Sequence, residues 1–233
     1  MFVVLEGIDG SGKGTQAAML LQRLGKEGIA STKLAFPQYG RTPFAEAISE
    51  YLNGVYGGVN DVHPKLASLL FAGDRFASKD LIESALANHE VVVCDRYIAS
   101  NLAHQSAKLP ESERTAFIDW LSSIEYGAYG LPKADLTIHL DIPVRQARQL
   151  VEKKAPRDQH TLFAEEEQGA YTALVADIHE QDTDYLAACR KAYQHLVREQ
   201  IGGTWKTIAC TEGSQIRSAD EIGEEIWQLV RRS

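Results

Sequence analysis

Cysteine is scarce in this chain. Its 233 residues include only Cys94, Cys189 and Cys210. None belongs to a C-x-x-C pair or lies near a histidine at zinc-ligand spacing, which excludes a disulfide framework and a cysteine-based metal knuckle. Reduced, non-catalytic thiols in a cytosolic protein are the expectation, with Cys94, at the end of an apolar run, as a small buried hydrophobe. Long hydrophobic runs are missing too. None exceeds about five residues, where a membrane-spanning helix needs about 20. The N-terminus has no basic segment and Glu6 interrupts its apolar stretch, so no secretory signal is expected. Positive charge is in deficit, with 24 Lys and Arg against 32 Asp and Glu. A broad basic face for nucleic acid is therefore not expected, while a local cationic pocket stays compatible with the net charge of -8.

What is present has the composition of a globular protein: 44% hydrophobic and 24% charged residues. There is no internal repeat and no linker-like stretch near the middle, so residues 1–233 read as one domain. Strands and helices alternate along it. Phe2 to Leu5 is a short apolar run ending in a glycine loop. Ala17, Leu20, Leu21 and Leu24 recur at helical spacing, with Gly28 as the stop. Thr32 to Phe36 is a second strand, broken by Pro37. Thr42-Pro43 is an N-cap with proline at the first helical position, opening a helix to about Leu52. Gly54 to Gly58 is a loop, and Pro64 begins a longer helix, with room for a break, to about Asn88.

Val91 to Cys94 is a continuous apolar run of the kind found in a central parallel strand buried on both faces. A helix after Pro110 carries Phe117, Ile118, Trp120 and Leu121. Leu136 to Leu140 and Thr204 to Ala209 are further strands, and Ile222 to Val230 is a final helix. The pattern predicts a doubly wound parallel α/β sheet of about five strands. Its functional loops belong at the strands' carboxyl ends. Residues 153–176 stand apart. They hold Lys153, Lys154 and Arg157, then Glu165-Glu166-Glu167, with little periodicity, as expected of a charged loop or lid insertion.

The strongest local signal is Gly7-Ile8-Asp9-Gly10-Ser11-Gly12-Lys13, which fits G-x-x-x-x-G-K between an apolar strand and an amphipathic helix. Glycines there let backbone N–H groups turn inward around phosphate oxygens. The helix N-terminus adds its positive dipole end, and the lysine reaches the β- and γ-phosphates. The position after the lysine, usually a Ser or Thr that binds Mg²⁺, is Gly14, and Thr15 follows. Either Thr15 serves, or Mg²⁺ is held mainly by phosphates, water and a carboxylate.

Read as a whole, Phe2 to Gln16 resembles the thymidylate kinases, within the nucleoside monophosphate kinases of the P-loop class, although its Gly-Lys-Gly-Thr-Gln ending is closer to adenylate kinases. Phe36-Pro37-Gln38-Tyr39-Gly40 is similar to the F-P-x-x-G segment of thymidylate kinases. Leu70-Phe71-Ala72-Gly73-Asp74-Arg75 resembles their base-binding helix. Asp95-Arg96-Tyr97 with Ser100-Asn101 matches their D-R-Y motif, and Leu131 to Leu136 their L-P-K-P-D-L. Asp177-x-x-Glu180, before a helix with Arg190 and Tyr193, resembles the end of their lid. These segments follow the family order from residue 2 to about 193.

The resemblance implies transfer of a phosphoryl group from ATP to dTMP, with Mg²⁺, by a cytosolic homodimer that binds neither nucleic acid nor membrane. Gly7, Gly10, Ser11, Gly12, Lys13, Gly14 and Thr15 would hold ATP. Phe71 and Arg75, four apart on one helix face, would stack on thymine and donate to its O4. Arg96 would clamp phosphate bidentately, and Asp95 would be the metal carboxylate. Asp9, out of place in an anion cradle, would contact the sugar 3′-hydroxyl or Mg²⁺. Asn101 would read the base, and Phe36 and Tyr39 would line the acceptor side. Asp177 and Glu180 would position substrate or lid.

In the family it resembles, the transition-state cation comes from the phosphate loop or the lid. This loop offers Ser11 and no basic residue at its variable positions, so the resemblance implies a cation from the lid. Arg157 comes first, then Lys153, Lys154 and Arg148 beside the donor nucleotide. His104 stands where relatives often carry a Tyr against the deoxyribose, and His179 falls at another such site. Three alternatives remain at this stage: a kinase for another nucleoside monophosphate or a deoxynucleoside, a non-catalytic P-loop module, and a GTP-dependent switch. The switch would need an N-K-x-D motif, which is absent. A D-x-x-G at Asp220 to Gly223 falls in the final predicted helix, far from the glycine loop.

Overall fold

The structure, a computed structural model, describes residues 1–58, 61–154 and 182–232. Five strands form its main sheet: β1 (Phe2–Glu6), β2 (Ser31–Ala35), β3 (Val91–Asp95), β4 (Leu136–Asp141) and β5 (Trp205–Ala209), in the order β2-β3-β1-β4-β5. All neighbours are parallel. The residues of the three inner strands are buried almost throughout. The edge strands β2 and β5 keep Lys33 and Lys206 in solvent. That division is expected when helices cover both faces of a parallel sheet.

Helices α1 (Lys13–Lys26), α2 (Pro43–Leu52), α3 (Pro64–Ala77) and α4 (Lys79–Asn88) lie between the first three strands in sequence. The long helix expected over 64–88 breaks at Ser78, whose Oγ donates to Asp74 O at 2.8 Å instead of capping the next helix. Beyond β3 come α5 (Ile98–Ser106), α6 (Glu111–Ser122) and a π-helical turn over Ser123–Ala128. Helix α7 (Val144–Lys154) follows β4, α8 (Thr183–Arg198) precedes β5, and α9 (Ala219–Arg232) ends the described chain. Helices α5 and α7 and a small hairpin, β6 (Thr211–Glu212) with β7 (Gln215–Ile216), carry no sequence signal strong enough to be read beforehand. Because α7 runs through Lys154, the first two residues assigned to the charged insertion are helical. The remainder, 155–176, lies outside the described residues.

The topology places the site. The connection from β1 leads to one side of the sheet, towards β2, and that from β4 to the other, towards β5. Ligand crevices open at the carboxyl ends of strands beside such a reversal. Register puts Leu5 opposite Asp95 and Glu6 opposite His139, so the glycine loop after β1 is flanked by the ends of β3 and β4. No helix among the described residues is long and apolar enough to cross a membrane.

Candidate active site

The loop from Gly7 to Gly12 leaves β1 with positive φ at three glycines: Gly7 (151°), Gly10 (78°) and Gly12 (88°). Gly12 is the N-cap of α1. A Cβ on Gly7 would stand 2.8 Å from Leu140 O, so β4 leaves room there for backbone alone. Lys13 folds back beneath the loop, its Nζ donating to Gly7 O at 2.9 Å and Ile8 O at 3.0 Å, with Ser11 Oγ at 3.4 Å. Burial and the neighbouring Arg96 push its amine down to about 8, while Asp9, Asp95 and Glu6 act in the opposite sense.

Two carboxylates flank this lysine. Asp9, inside the loop, forms an ion pair with Arg96 Nη2. The pairing explains how an acidic side chain is tolerated in an anion cradle: its charge is offset by a cation from the neighbouring strand end. Burial works against the Arg96 charge, yet Asp9 and the surrounding anions hold the guanidinium well above its ordinary range. Asp95 comes close to the start of α1. A Cβ on Gly14 would lie 3.3 Å from Asp95 Oδ2. The absent side chain at 14 therefore leaves open the space beside a carboxylate, and Thr15, half-buried, is next along the helix. Hard oxygen donors, few in number, suit Mg²⁺, which keeps much of its water and leans on substrate phosphates.

Arg96 itself has φ +66°, in the left-handed region. That conformation costs an L-residue about 1–2 kcal/mol. Its amide donates to Leu5 O at 3.1 Å, and the next amide, Tyr97 N–H, donates to Glu6 Oε1 at 2.8 Å. Glu6 is fully buried. It also accepts from Ser100 N–H (3.1 Å), Ser100 Oγ–H (2.6 Å) and Tyr193 Oη–H (2.9 Å). Burial raises its carboxyl above the usual range against the pull of these donors and of Arg96.

On the other side of α5, Arg75 is 2% exposed and bound bidentately by Glu125: Nε to Oε2 at 2.5 Å and Nη2 to Oε1 at 2.6 Å. Asn101, also buried, donates its amide to the same Oε1 (2.8 Å) and to Ser68 O (3.0 Å), leaving Oδ1 buried without a partner among the described residues. Phe71, half-buried, meets the Tyr51 ring edge-on at 6.3 Å. Asp74, one turn along α3, accepts from Gln38 N–H (2.9 Å) and Thr42 Oγ–H (2.5 Å), which fixes the loop carrying Tyr39. Tyr39 is 36% exposed, whereas Phe36 packs into the core against Tyr97.

His104 is buried. Tyr185 Oη donates to its carbonyl at 3.0 Å and lies 3.3 Å from Nδ1, and Nε2 has no partner among the described residues. Burial pushes the imidazole down to about 3, so it does not titrate near 6.5 as an unperturbed histidine would. Arg148 is exposed on α7 and donates to Thr183 Oγ1 at 2.8 Å. It borders a 330 Å³ cleft with Val144, Arg145, Gln149, Glu152 and Thr183. Arg157, Asp177, His179 and Glu180 lie outside the described residues.

The structure thus brings Lys13, Asp9, Arg96, Asp95 and Thr15 to one crevice, and Phe71, Arg75 and Asn101 to one wall beside α5. Sequence reasoning missed three acids that hold these groups: Glu6, Asp74 and Glu125. Glu6 had a usable signal, a carboxylate ending an otherwise apolar central strand. Glu125 had none, because a π-helical turn carries no familiar period.

A family model described as thymidylate kinase matches residues 5–212 of the chain. The thymidylate kinase of Mycobacterium tuberculosis is 29% identical over 208 residues, covering 89% of this chain and 91% of its own length. That of Thermomicrobium roseum is 30% identical over 234 residues, covering 99% and 96%. A solved structure of thymidylate kinase from Candida albicans superposes with a TM-score of 0.70 at 22% identity, over 99% of this chain and 91% of that one, a likeness of fold. A match that begins within β1 and ends at β6, over the crevice just described, leads to one conclusion: the chain belongs to the thymidylate kinase family.

Proposed function

We propose that the enzyme transfers a phosphoryl group from ATP to dTMP, giving ADP and dTDP, with the residues gathered above in specific roles. An oxygen of the dTMP phosphate attacks the γ-phosphorus, and the bond to the β,γ-bridging oxygen breaks as ADP leaves. Such a transfer asks the protein for in-line positioning and charge stabilisation more than for covalent chemistry. The observation that carries the reading is the meeting of Lys13 and Arg96, with Asp9 between them in charge, at the adjoining carboxyl ends of β1 and β3.

Gly7, Gly10, Ser11, Gly12, Gly14 and Thr15 present backbone donors and the N-terminus of α1 to the ATP phosphates. Lys13 leaves its own loop carbonyls to reach them. Arg96 clamps the acceptor phosphate, and Asp9 steadies Arg96 and the sugar. Asp95, with Thr15 and Asp9 nearby, is the site for Mg²⁺, which when bound neutralises phosphate charge. Arg148 serves the donor nucleotide from the α7 cleft, while Arg157 remains the proposed transition-state cation. Asp177 and Glu180 are proposed to position substrate or lid.

The base reading follows from hydrogen-bond polarity. Asn101 has spent both amide protons on Ser68 and Glu125, so Oδ1 is an acceptor in need of an N–H. Thymine and uracil carry one at N3; cytosine does not. Arg75 donates to the adjoining carbonyl and Phe71 stacks, with Phe36 and Tyr39 on the acceptor side. His104, smaller than a Tyr and neutral, leaves discrimination against UMP and dUMP weaker than a phenol would. Phe44, Leu66 and Phe76 are exposed apolar side chains on α2 and α3, a surface suited to a second copy, and a cytosolic homodimer is part of the proposal.

ADP release from Mg-ATP, measured with dTMP, dUMP, UMP, dCMP and CMP as acceptors, tests the reading. The expected order has dTMP first, dUMP and UMP measurable, and dCMP and CMP poorest. A protein that phosphorylates UMP or CMP better than dTMP would overturn it.

A further inference from the structure

We propose that Glu6 is a positioning residue for the acceptor phosphate: its buried carboxylate holds the backbone corner from which Arg96 reaches the phosphate loop. The proposal rests on the reading of Arg96 as the phosphate clamp. Four donors converge on Glu6. Two are backbone amides, Tyr97 N–H and Ser100 N–H, both on Oε1. Two are hydroxyls, Ser100 Oγ–H and Tyr193 Oη–H, both on Oε2. A group surrounded by donors is best matched by an acceptor with two oxygens.

Arg96 sits at the centre of this arrangement without touching Glu6 itself. The two amides that bracket its left-handed conformation are bound to consecutive residues of β1: Arg96 N–H to Leu5 O and Tyr97 N–H to Glu6. Its guanidinium donates to Ser100 Oγ at 3.3 Å, and that hydroxyl donates in turn to Glu6. The backbone and the side chain of Arg96 are thus both anchored to Glu6. A non-glycine residue keeps such a conformation only where its surroundings over-determine it.

A helix start such as that of α5 is ordinarily capped by a side chain next to it in sequence. Tyr97, its N-cap residue, makes no side-chain cap. The acceptor comes instead from β1, 91 residues away for Tyr97, and Glu6 is the last residue before the phosphate loop. One carboxylate therefore sets the clamp relative to the loop that holds the donor phosphates. Tyr193, buried on α8, adds the segment leading into β5 to the same anchor.

The test compares the dissociation constants of dTMP and thymidine, which share base and sugar and differ by the phosphate. Their ratio isolates the phosphate contact from the integrity of the base pocket. Glu6→Gln keeps a carbonyl for the two amides, and its NH₂ faces two hydroxyls that can turn to accept. The ratio should stay within about threefold of wild type. Glu6→Asp keeps the charge but falls about 1.5 Å short. There the dTMP preference should drop about tenfold, with the KM for dTMP rising in step and the KM for ATP within twofold.

An Asp variant with the wild-type ratio would overturn the proposal. So would a Gln variant that loses the preference as fully as the Asp variant, because holding the backbone corner at full reach would then not be enough. Should Glu6→Asp not fold, Ser100→Ala removes the hydroxyl between Glu6 and Arg96. It should lower the ratio at least threefold, and an unchanged ratio there is equally fatal. A wild-type protein that binds thymidine as tightly as dTMP would instead overturn the clamp reading of Arg96 on which the proposal rests.

Discussion

Arg75 carries a charge into a position 2% exposed, and Glu125 is what makes that tolerable. The bidentate geometry satisfies two guanidinium donors, and the spare capacity of the same carboxylate fixes the Asn101 amide. Breaking such a pair from one side costs far more than deleting it whole, because the remaining charge stays buried. Glu125→Ala should lower the unfolding free energy by about 3–5 kcal/mol, read from urea melts. The double variant Arg75→Met with Glu125→Leu should recover most of that while losing dTMP binding. A single-variant loss under about 1 kcal/mol would mean that solvent reaches Arg75, as at an ordinary surface pair. Of this group the sequence displays Phe71 and Arg75 on one helix face. It does not display the partner, 50 residues on in a π-helical turn.

At the scale of elements, the phosphate loop and α7 are in direct backbone contact. A Cβ on Gly10 would meet Ala147 O at 2.5 Å and Val151 Cγ2 at 2.9 Å, whereas one on Gly12 would meet nothing within 4 Å. Both glycines have positive φ, which alone costs an alanine about 1–2 kcal/mol. Gly10→Ala must in addition move a helix, an overpacking cost of about 1–3 kcal/mol. It should therefore melt several degrees below Gly12→Ala and show the larger rise in KM for ATP. Equal melting temperatures would mean that α7 yields freely. G-x-x-x-x-G-K asks for glycine at 7 and 12 and leaves position 10 open. The need for glycine there comes from a helix more than 130 residues downstream, so no motif could contain it.

Over the whole molecule, acid stability is the property most exposed to test. Burial pushes His104 down to about 3 and His139 down to about 4. His139 stacks on Tyr193 with ring centroids 5.4 Å apart, and its Nδ1 is buried without a partner among the described residues. In the unfolded chain both imidazoles take up protons near pH 6.5; in the fold they resist. The unfolded state then binds more protons through this window, so stability is complete above about pH 6.5 and falls as pH falls. Glu6, raised by burial, binds its proton earlier in the fold than in the unfolded chain and offsets part of the loss. Between pH 7 and 4.5 the two histidines should remove up to roughly 5 kcal/mol, visible as a falling urea midpoint. A flat midpoint over that range would show solvated imidazoles.

Most of the strands and helices, and the residue types gathered in the crevice, were legible in the sequence. Unbroken apolar runs marked β1 and β3 as buried strands, and a glycine loop ahead of a helix carried the pattern of a phosphate cradle. The order of the later motifs made the family legible. All of these are local signals, set by backbone conformation, strand burial and helix capping within a few residues. Tertiary structure alone decided which charges answer one another. Asp9 is offset by Arg96, Glu6 gathers donors from Tyr97, Ser100 and Tyr193, and Glu125 holds Arg75 and Asn101. Their partners lie from 24 to 187 residues apart. They meet through the register of β1 on β3 and the helices laid over that sheet, because a buried charge takes its partner from space and not from sequence.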